Sequence, residues 1–316
     1  MRPTKLMAVA AVSLLLLALA VAALPLLMSS SVNVAYSEKV NYETMMVADQ
    51  KGWLEESNIQ AKLVTGGIQA AEALITGSVD MAVMGDGPAV QLITKGTGAK
   101  IVARIISGEG VHRFIASSSI LGPEDLEGKR VGLQASSSTH AAFLNWATEN
   151  DVNASNITIV PMDPRDLAQA MHTGGIDAMA GSEPWAVNTE NLCGSAVHEI
   201  GNSSGLGSTY PIVLVASAKL LRDNPVAIEA MVDVLVRATE FINGHWEESM
   251  QICSSRTGLS ILDQGRCSAM QLYAVGFNQT DEDSIDKAAQ AMFAFGKIDS
   301  LPVVREHTDL RFLPLG

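Results

Sequence analysis

The sequence lacks any block of Lys or Arg residues. Across 316 residues, 21 basic side chains face 34 acidic ones, which gives a formal net charge of −13. Proteins that bind nucleic acid neutralise its phosphates with clustered cations. The composition therefore excludes a nucleic-acid partner. An anionic ligand would have to be attracted by a local feature, because the overall charge repels it.

Motifs of metal, nucleotide and cofactor chemistry are also missing. The chain has no HExxH zinc motif, no P-loop and no dinucleotide-binding fingerprint. Its three cysteines, Cys193, Cys253 and Cys267, are too scattered for a zinc site. The last two bracket a short polar segment and could form a disulfide in an oxidising compartment. We therefore expect no cofactor, no metal and no catalytic residue.

An apolar N-terminal segment indicates where the chain resides. Residues 6–28 are apolar with one exception, and the cations Arg2 and Lys5 precede them. This pattern is typical of a signal peptide, and the segment is also long enough to cross a bilayer as a helix. We assign residues 1–31 to a signal peptide or a transmembrane anchor. The rest of the chain is then extracytoplasmic, either secreted, periplasmic or held at the outer face of the cytoplasmic membrane.

An internal repeat of about a hundred residues organises the exported part. Residues 73–89 (ALITGSVDMAVMGDGPA) align with residues 170–186 (AMHTGGIDAMAGSEPWA) with a single one-residue gap. In each copy a helix-like stretch ends at Thr-Gly, a short apolar run follows, and a Gly-x-x-Pro loop comes next. The pattern predicts an α/β protein with two similar lobes. Because strands alternate with helices, we expect a mostly parallel sheet flanked by helices in each lobe.

Two strand-like segments predict crossovers between the lobes. Residues 112–117 lie between the two copies of the repeat, and residues 209–216 follow the second copy. We therefore expect the first part of lobe 1 in residues 32–115 and lobe 2 in residues 116–212. Residues 213–316 would complete lobe 1 and add the C-terminal helices.

Small polar loops follow the predicted strands, where α/β sheets bind their ligands. These loops are residues 36–43, 85–88, 134–140 and 181–185. A helix N-terminus supplies unpaired N–H groups and a partial positive charge, so the run SSSTH within the third loop predicts a place for an oxyanion. Helix capping is the competing interpretation, but it needs only one hydroxyl.

Other polar and aromatic side chains in these loops have two interpretations each. Asp86 and Glu183 occupy equivalent places in the two copies, where they could hold an ammonium group or cap their own turns. Tyr42 and Trp185 could stack on an organic ligand or only pack. His140 could donate to an anion or be structural, and His112 is the weaker candidate.

Three segments together resemble a known family. They are residues 77–89 (GSVDMAVMGDGPA), 124–147 (EDLEGKRVGLQASSSTHAAFLNWA) and 174–186 (GGIDAMAGSEPWA). In this order they are similar to extracytoplasmic solute-binding proteins of ABC importers, in the nitrate, sulfonate and taurine class, and the resemblance spans residues 32–241. It implies a two-lobed, periplasmic-binding-protein-like fold of type II that closes on one small-molecule solute. It also implies a monomer that works at the membrane surface with a permease and an ATPase.

The resemblance further implies a set of ligand-facing residues. The matching positions are Tyr36, Ser37, Asn41, Tyr42, Gly85, Asp86, Gly87, Ser136, Ser137, Ser138, Thr139, His140, Glu183, Trp185 and Tyr210. Family members often carry an aromatic residue before the Glu-Pro of the second Gly-x-x-Pro loop, whereas this chain has Ser182 there and Trp185 after the proline. The first such loop has no Arg or Lys, which leaves sulfonate, nitrate and taurine open.

The functional hypothesis is a binding protein without catalysis. We expect the substrate-binding component of an ABC transporter, which captures a small oxyanion-bearing solute and delivers it to a membrane permease. The alternatives are an exported sensor module of the same fold and a binding protein for a thiamine-precursor pyrimidine. A serine hydrolase acting through Ser203 is weaker: residues 201–205 (GNSSG) match G-x-S-x-G, but a strand-like segment follows where that motif requires a helix.

Overall fold

The computed structural model describes residues 31–294 and 296–314. The expected signal peptide or anchor, in residues 1–31, lies outside these residues apart from its last one. Asn33–Gly316 form one compact unit. In the part of the chain that the structure describes, no helix combines the length and the apolar character needed to cross a membrane.

Strands and helices alternate along most of the chain. The strands are β1 (Val32–Tyr36), β2 (Ile59–Leu63), β3 (Met81–Gly85), β4 (Lys100–Ser107), β5 (His112–Ser117), β6 (Arg130–Leu133), β7 (Thr158–Pro161), β8 (Ala178–Ser182), β9 (Val197–Asn202), β10 (Ile212–Ala216) and β11 (Leu272–Gly276). The helices are α1 (Glu43–Gln50), α2 (Trp53–Glu56), α3 (Gly67–Ile75), α4 (Asp86–Thr94), α5 (Ser138–Glu149), α6 (Leu167–His172), α7 (Trp185–Cys193), α8 (Ala218–Asp223), α9 (Pro225–Gly244), α10 (Trp246–Thr257), α11 (Ile261–Ser268) and α12 (Gln279–Ala294).

The strands form two sheets, each with helices packed against it. Sheet A has the strand order β11-β4-β10-β3-β1-β2, and sheet B has the order β7-β6-β8-β5-β9. We call sheet A with its helices lobe 1, and sheet B with its helices lobe 2. The central strands β3 (MAVMG) and β10 (IVLVA) are buried along their whole length, which explains their unbroken apolar sequences. The predicted two-lobed α/β fold is confirmed.

The sheets are mixed, which differs from the expectation of mostly parallel sheets. β1 pairs in parallel with β3, and β6 with β7 and β8, but β10 runs antiparallel to β3 and β4. β5 likewise runs antiparallel to β8 and β9. The reason is that the two segments expected as crossovers are themselves central strands. Each enters its sheet from the end where the neighbouring strand finishes, so it has to run in the opposite direction.

The chain passes between the sheets twice. It leaves sheet A after β4, crosses through residues 108–111, and returns to sheet A through residues 203–211. The division of the chain at residues 115 and 212 stays a prediction. α12 then packs against both α4 and α5, and Ala141 of α5 shares one apolar cluster with Ile285 and Met292 of α12. The C-terminal region therefore contacts helices of both lobes.

The thiols of Cys253 and Cys267 are free, so the disulfide considered for them is not formed. Both side chains are buried, and Cys267 packs with Val40, Val187 and Leu259. Burial raises the pKa of both thiols. The physical reason for the difference is that each thiol serves as a packed apolar group in the protein interior, where a protonated sulfur fits well.

Three aromatic rings form the centre of the lobe 2 core, and their packing can be tested. The ring of Phe114 lies 4.7 Å from that of Trp146 and 5.6 Å from that of Phe143. We expect Phe114→Ala to lower the free energy of unfolding by about 3–5 kcal/mol, because it leaves a cavity among the rings. Urea denaturation followed by tryptophan fluorescence measures the change. Leu121→Ala is the control, since Leu121 is 80% exposed, and should cost less than about 0.5 kcal/mol. Equal losses in both variants would contradict this core.

Candidate functional site

The two lobes meet at the ends of β3 and β8. Gly85 ends β3 and pairs with Ile212, the first residue of β10, while Ser182 ends β8 and pairs with His112, the first residue of β5. A cavity of about 40 Å³ lies between these strand ends. Because a buried water needs roughly 10–15 Å³, the cavity holds a group of a few heavy atoms.

Many of the residues expected at the site border this cavity. Those that do are Asn41, Tyr42, Gly85, Ser137, Ser138, Thr139, Trp185 and Tyr210. Those that do not are Tyr36, Ser37, Asp86, Gly87, Ser136, His140 and Glu183. The role of each in ligand binding stays a prediction.

The N-terminus of α5 forms one wall of the cavity, and its hydroxyls are engaged within the protein. Ser137 is the N-cap: its Oγ accepts the His140 N–H at 3.2 Å and donates to the Gln134 carbonyl at 2.7 Å. Thr139 Oγ1 lies 3.0 Å from Nδ1 of His112. The first turn of a helix leaves backbone N–H groups without intrahelical partners. Contact of a ligand with these N–H groups or with the hydroxyls expected from the sequence stays a prediction.

Glycine allows lobe 1 to approach α5 closely. The N–H of Gly87 donates to Ser138 Oγ at 3.2 Å. A Cβ atom on Gly87 would lie 2.6 Å from the Ser138 nitrogen, and a Cβ on Gly85 would lie 2.3 Å from Ser138 Oγ. While the lobes are in contact, a side chain at Gly87 would clash with the Ser138 backbone, whereas one at Gly85 would require the Ser138 hydroxyl to rotate away. Glycine at these two positions thus permits backbone contact between the lobes beside the cavity.

The two acidic residues in equivalent loops cap their own turns. Asp86 Oδ1 accepts the Gly87 N–H at 2.7 Å, and burial raises the pKa of the Asp86 carboxyl to about 6 against the opposing hydrogen bonds. Glu183 accepts the Val187 N–H at 3.0 Å and pairs with Arg113 at 2.8 Å. These hydrogen bonds fit the capping alternative, and the choice between the two uses stays a prediction.

The remaining expected residues lie away from the cavity. Tyr36 donates its hydroxyl to Asp49 Oδ2 at 2.8 Å, and Ser37 is buried behind the loop. The N–H of Ser136 donates to Nδ1 of His140 at 3.0 Å, so the imidazole folds back onto its own loop. Burial, together with the charge of a nearby lysine, lowers the pKa of His140 to about 4.

Several buried donors at the cavity are unpaired. The indole Nε1 of Trp185, the hydroxyl of Tyr210 and Nε2 of His112 have no hydrogen-bond partner within residues 31–294 and 296–314, and neither has the acceptor Oδ1 of Asn41. Nε2 of His112 is a donor when Nδ1 accepts from Thr139. Burial and the charge of Lys39 lower the pKa of His112 to about 3, so its ring is neutral. Leaving a buried donor unpaired costs about 1–3 kcal/mol. A ligand with several acceptor oxygens would satisfy these groups together.

Lys39 is a cation at the cavity that the sequence patterns did not predict. It borders the cavity, and its ammonium lies 5.6 Å from the centre of the Tyr42 ring. Burial lowers the pKa of Lys39 to about 8, although the charge of Asp163 opposes the shift. The sequence did contain one indication of this position: Lys39 lies in the loop after β1, within residues 36–43, which was expected to face the ligand. No Asp or Glu of the described chain borders the cavity, so the site has a local positive charge inside an acidic protein.

Ser203 is engaged in structure. It is fully buried; its Oγ accepts the His112 N–H at 3.2 Å and donates to the Glu109 carbonyl. It follows β9 and precedes the loop into β10, with no helix after it. This arrangement does not match a nucleophile elbow, in which the serine ends a strand and begins a helix.

The NMT1/THI5-like family model matches residues 39–249 of this chain. The chain belongs to this family. A Brucella abortus protein named as a binding protein is 27% identical over 210 residues, which are 65% of this chain and 65% of that protein. The chain therefore matches less than two thirds of that relative's length. A Bacillus subtilis protein named as an aliphatic sulfonates-binding protein is 22% identical over 281 residues, or 85% of this chain and 83% of its own.

Solved structures share the fold of this family member. The alkanesulfonate-binding protein of Xanthomonas axonopodis pv. citri bound to MOPS has a TM-score of 0.80 at 20% identity, covering 89% of this chain and 98% of its own. A desulfurization enzyme also matches, with a TM-score of 0.66 at 14% identity, covering 89% and 96%. The predicted resemblance and the predicted fold are confirmed. At these identities the likeness establishes the fold alone.

The close contact at Gly87 generates a prediction. Gly87→Ala places a methyl group against the backbone of Ser138, and such overpacking costs about 1–3 kcal/mol. We expect the ratio of molecules with the lobes in contact to molecules with the lobes apart to fall by a factor of about 5–150. Distances between spin labels on exposed positions of each lobe measure the separation. Gly265→Ala is the control, since nothing lies within 4 Å of the added carbon. An unchanged distance distribution in Gly87→Ala would show that this contact does not limit closure.

Proposed function

We propose that the protein is the extracytoplasmic solute-binding component of an ABC importer. It captures a small oxyanion-bearing solute between its two lobes and delivers it to a membrane permease that works with an ATPase. The observation that carries the proposal is the group of unpaired donors, from Trp185, Tyr210 and His112, placed with Lys39 around one small cavity. Hydrogen-bond donors and a cation surround this cavity, and no acidic residue of the described chain borders it. These are the features of a site that binds anions.

The cation and the hydrogen-bond donors make different contributions to binding. Lys39 supplies the counter-charge, and the N-terminus of α5 adds backbone N–H groups and part of a positive charge. When Thr139 donates to Nδ1 of His112, the opposite ring nitrogen carries the hydrogen and donates to the ligand. Three or more ligand oxygens are then recognised from different elements, which suits a sulfonate or nitrate.

The apolar part of the cavity wall restricts which other chemical groups the solute can carry besides its oxyanion. Ile68, Pro88, Leu167 and Ile212 border the cavity and are apolar. An ammonium group, as in taurine, would meet no carboxylate there and would lose its hydration. The site therefore favours a sulfonate or nitrate over a zwitterion, and the small volume disfavours a thiamine-precursor pyrimidine.

Relatives with this fold support a binding role. The Bacillus and Brucella relatives carry the names of binding proteins, and the Xanthomonas structure holds a sulfonate-containing buffer molecule. The desulfurization enzyme shows that the same fold also hosts catalysis. In the described chain, however, none of the cysteines borders the cavity, and Ser203 is engaged in structure. We infer that the protein binds without catalysis.

Binding couples to closure of the lobes. Gln91 of α4 donates to the Ser136 carbonyl at 2.7 Å, and Val187 of lobe 2 packs with Val40 and Leu259 of lobe 1. A solute that contacts both lobes stabilises this arrangement, and a permease distinguishes it from the open one. A monomer at the outer membrane surface suffices for this cycle. If the gene lies beside permease and ATPase genes, import is favoured over the sensor alternative, whereas a kinase neighbour favours sensing.

The proposal predicts a thermal shift with a small set of anions. The purified protein is heated with ethanesulfonate, nitrate, taurine and a thiamine pyrimidine. A ligand at about a hundred times its dissociation constant stabilises the native state by about 2.7 kcal/mol, which is worth several degrees. We expect a shift with ethanesulfonate or nitrate and none with the pyrimidine. Lys39→Met should weaken binding at least about tenfold, since charged hydrogen bonds contribute about 1.5–3 kcal/mol. The control Lys62→Met changes an exposed lysine. A shift with the pyrimidine alone would replace the oxyanion proposal.

Lys39 also predicts how affinity depends on pH. Burial lowers the pKa of Lys39 to about 8, so the ammonium loses its proton as the pH rises through that value. Only the charged form pairs with an anion, and we expect affinity to fall about tenfold for each unit above pH 8. Isothermal titration calorimetry at several pH values measures the fall. Lys39→Arg should remove it, because the guanidinium stays charged. A fall that persists in Lys39→Arg would assign it to another group.

A further inference from the structure

Glu43 is a buried acid directly behind the binding loop. It is the first residue of α1 and follows Asn41 and Tyr42, both of which border the cavity. Its side chain is fully buried in lobe 1. A carboxyl in this place has no contact with solvent. It is not needed to begin the helix, since smaller capping residues can begin a helix without the cost of burying a charge.

The hydrogen bonds of Glu43 are one-sided. Its Oε1 accepts from Ser268 Oγ at 2.8 Å and from Gln264 Nε2 at 3.2 Å, both on α11. Its Oε2 is buried and has no partner in the part of the chain that the structure describes. A protonated carboxyl satisfies this arrangement better than a carboxylate, because an ionised oxygen without a donor is costly to bury.

No cation neutralises Glu43 in the described part of the chain. The titratable groups that face it are Tyr273 on β11, Cys253 on α10 and Cys267 on α11. Burial raises the pKa of each, so all three are neutral near pH 7. Arg256, also on α10, donates instead to Glu38, Asp49 and Tyr36. Burial accordingly raises the pKa of Glu43 to about 7, and the hydrogen bonds that it accepts oppose the shift only in part.

The carboxyl is linked to the loop that carries the cation. Glu43 directly follows Asn41 and Tyr42 in the chain, and Asn41 has a left-handed φ of 75°. Asn adopts this conformation more readily than most other non-glycine residues, so the loop turns at Asn41 directly before α1. The Tyr42 N–H in turn donates to the Lys39 carbonyl at 3.1 Å. Displacement of Glu43 would therefore move Asn41, Tyr42 and Lys39 together.

We propose that Glu43 is a positioning residue for solute binding: when protonated it holds the loop with Lys39, Asn41 and Tyr42 in the binding geometry, and its ionisation weakens binding. The inference rests on the proposed function. Two effects act in the same direction. An ionised Glu43 gains hydration by moving out of the core, which displaces the loop, and its charge repels an anion in the adjacent cavity.

The sign of the pH dependence follows from these effects. Glu43 is neutral below about pH 7, so affinity for an anion is highest there and falls as the pH rises through that value. If the bound anion raises the pKa of Glu43 by about one unit, the total fall is about tenfold. Lys39 titrates in the same direction at higher pH, and a variant is needed to separate the two groups.

The variant Glu43→Gln separates the contribution of Glu43 from that of Lys39, because the amide has the shape of the protonated acid and cannot ionise. Its oxygen can accept the same bonds from Ser268 and Gln264. Calorimetry with ethanesulfonate and with nitrate, between about pH 5.5 and 7.5, compares three proteins. We expect affinity to fall with pH in the wild type and in the exposed control Glu72→Gln, but to stay constant and tight in Glu43→Gln. An equal fall in Glu43→Gln overturns the positioning role. If no protein binds either anion, the proposed function fails and this role fails with it.

A measurement without ligand tests the titration itself. The ¹³C shift of the Glu43 side-chain carboxyl, assigned by its loss in Glu43→Gln, is followed against pH in the free protein. We expect a midpoint near 7 in the wild type, and a higher one in Ser268→Ala, which removes a donor to the ionised form. A purely structural contact would not move the midpoint in this direction. A wild-type midpoint near the ordinary value of 4.5 overturns the proposal.

Discussion

Backbone contact between Gly87 and the N-terminus of α5 is the constraint on which the site depends. Two helices, α4 and α5, present their N-terminal ends to each other across the lobes, and both ends carry partial positive charge. A negative group close by stabilises such an arrangement. Asp86 supplies part of that charge from the first turn of α4, and an anion in the cavity would supply the rest. The geometry that requires glycine at position 87 thus also favours a negative group beside it.

Local attraction of this kind explains how the proposed anion site fits an acidic protein. The net charge of −13 acts over long distances and is screened by salt, whereas donors within the cavity act at contact. The hydroxyl of Tyr210 and the indole nitrogen of Trp185 are buried and Lys39 is partly buried, so solvent weakens their interactions with a ligand less than at an open surface. Global repulsion affects the rate of encounter more than the strength of binding.

Sequence patterns predicted the architecture better than the chemistry. The repeat ending at residues 89 and 186 predicted two lobes and the loops that meet, since local periodicity survives in the fold. The hydroxyls at residues 136–139 were expected to face a ligand. Those of Ser137 and Thr139 bond to Gln134 and His112 within lobe 2, whereas Ser138 accepts from Gly87 of lobe 1, a contact that no local pattern contains. Lys39 was missed for a similar reason: its burial comes from residues distant in sequence. Strand direction also depends on where the chain re-enters each sheet, which no local pattern contains.

The insertion of β10 between β3 and β4 has a consequence for how the chain acquires its fold. The centre of sheet A cannot form until residue 216 has been synthesised. The reason is that β10, which pairs with both β3 and β4, lies more than a hundred residues after them in the chain. Sheet B, by contrast, is built from one continuous stretch, β5 to β9. Contacts between distant segments form slowly, so lobe 2 can assemble first and lobe 1 last. A chain of this topology stays incompletely folded until most of it has been made.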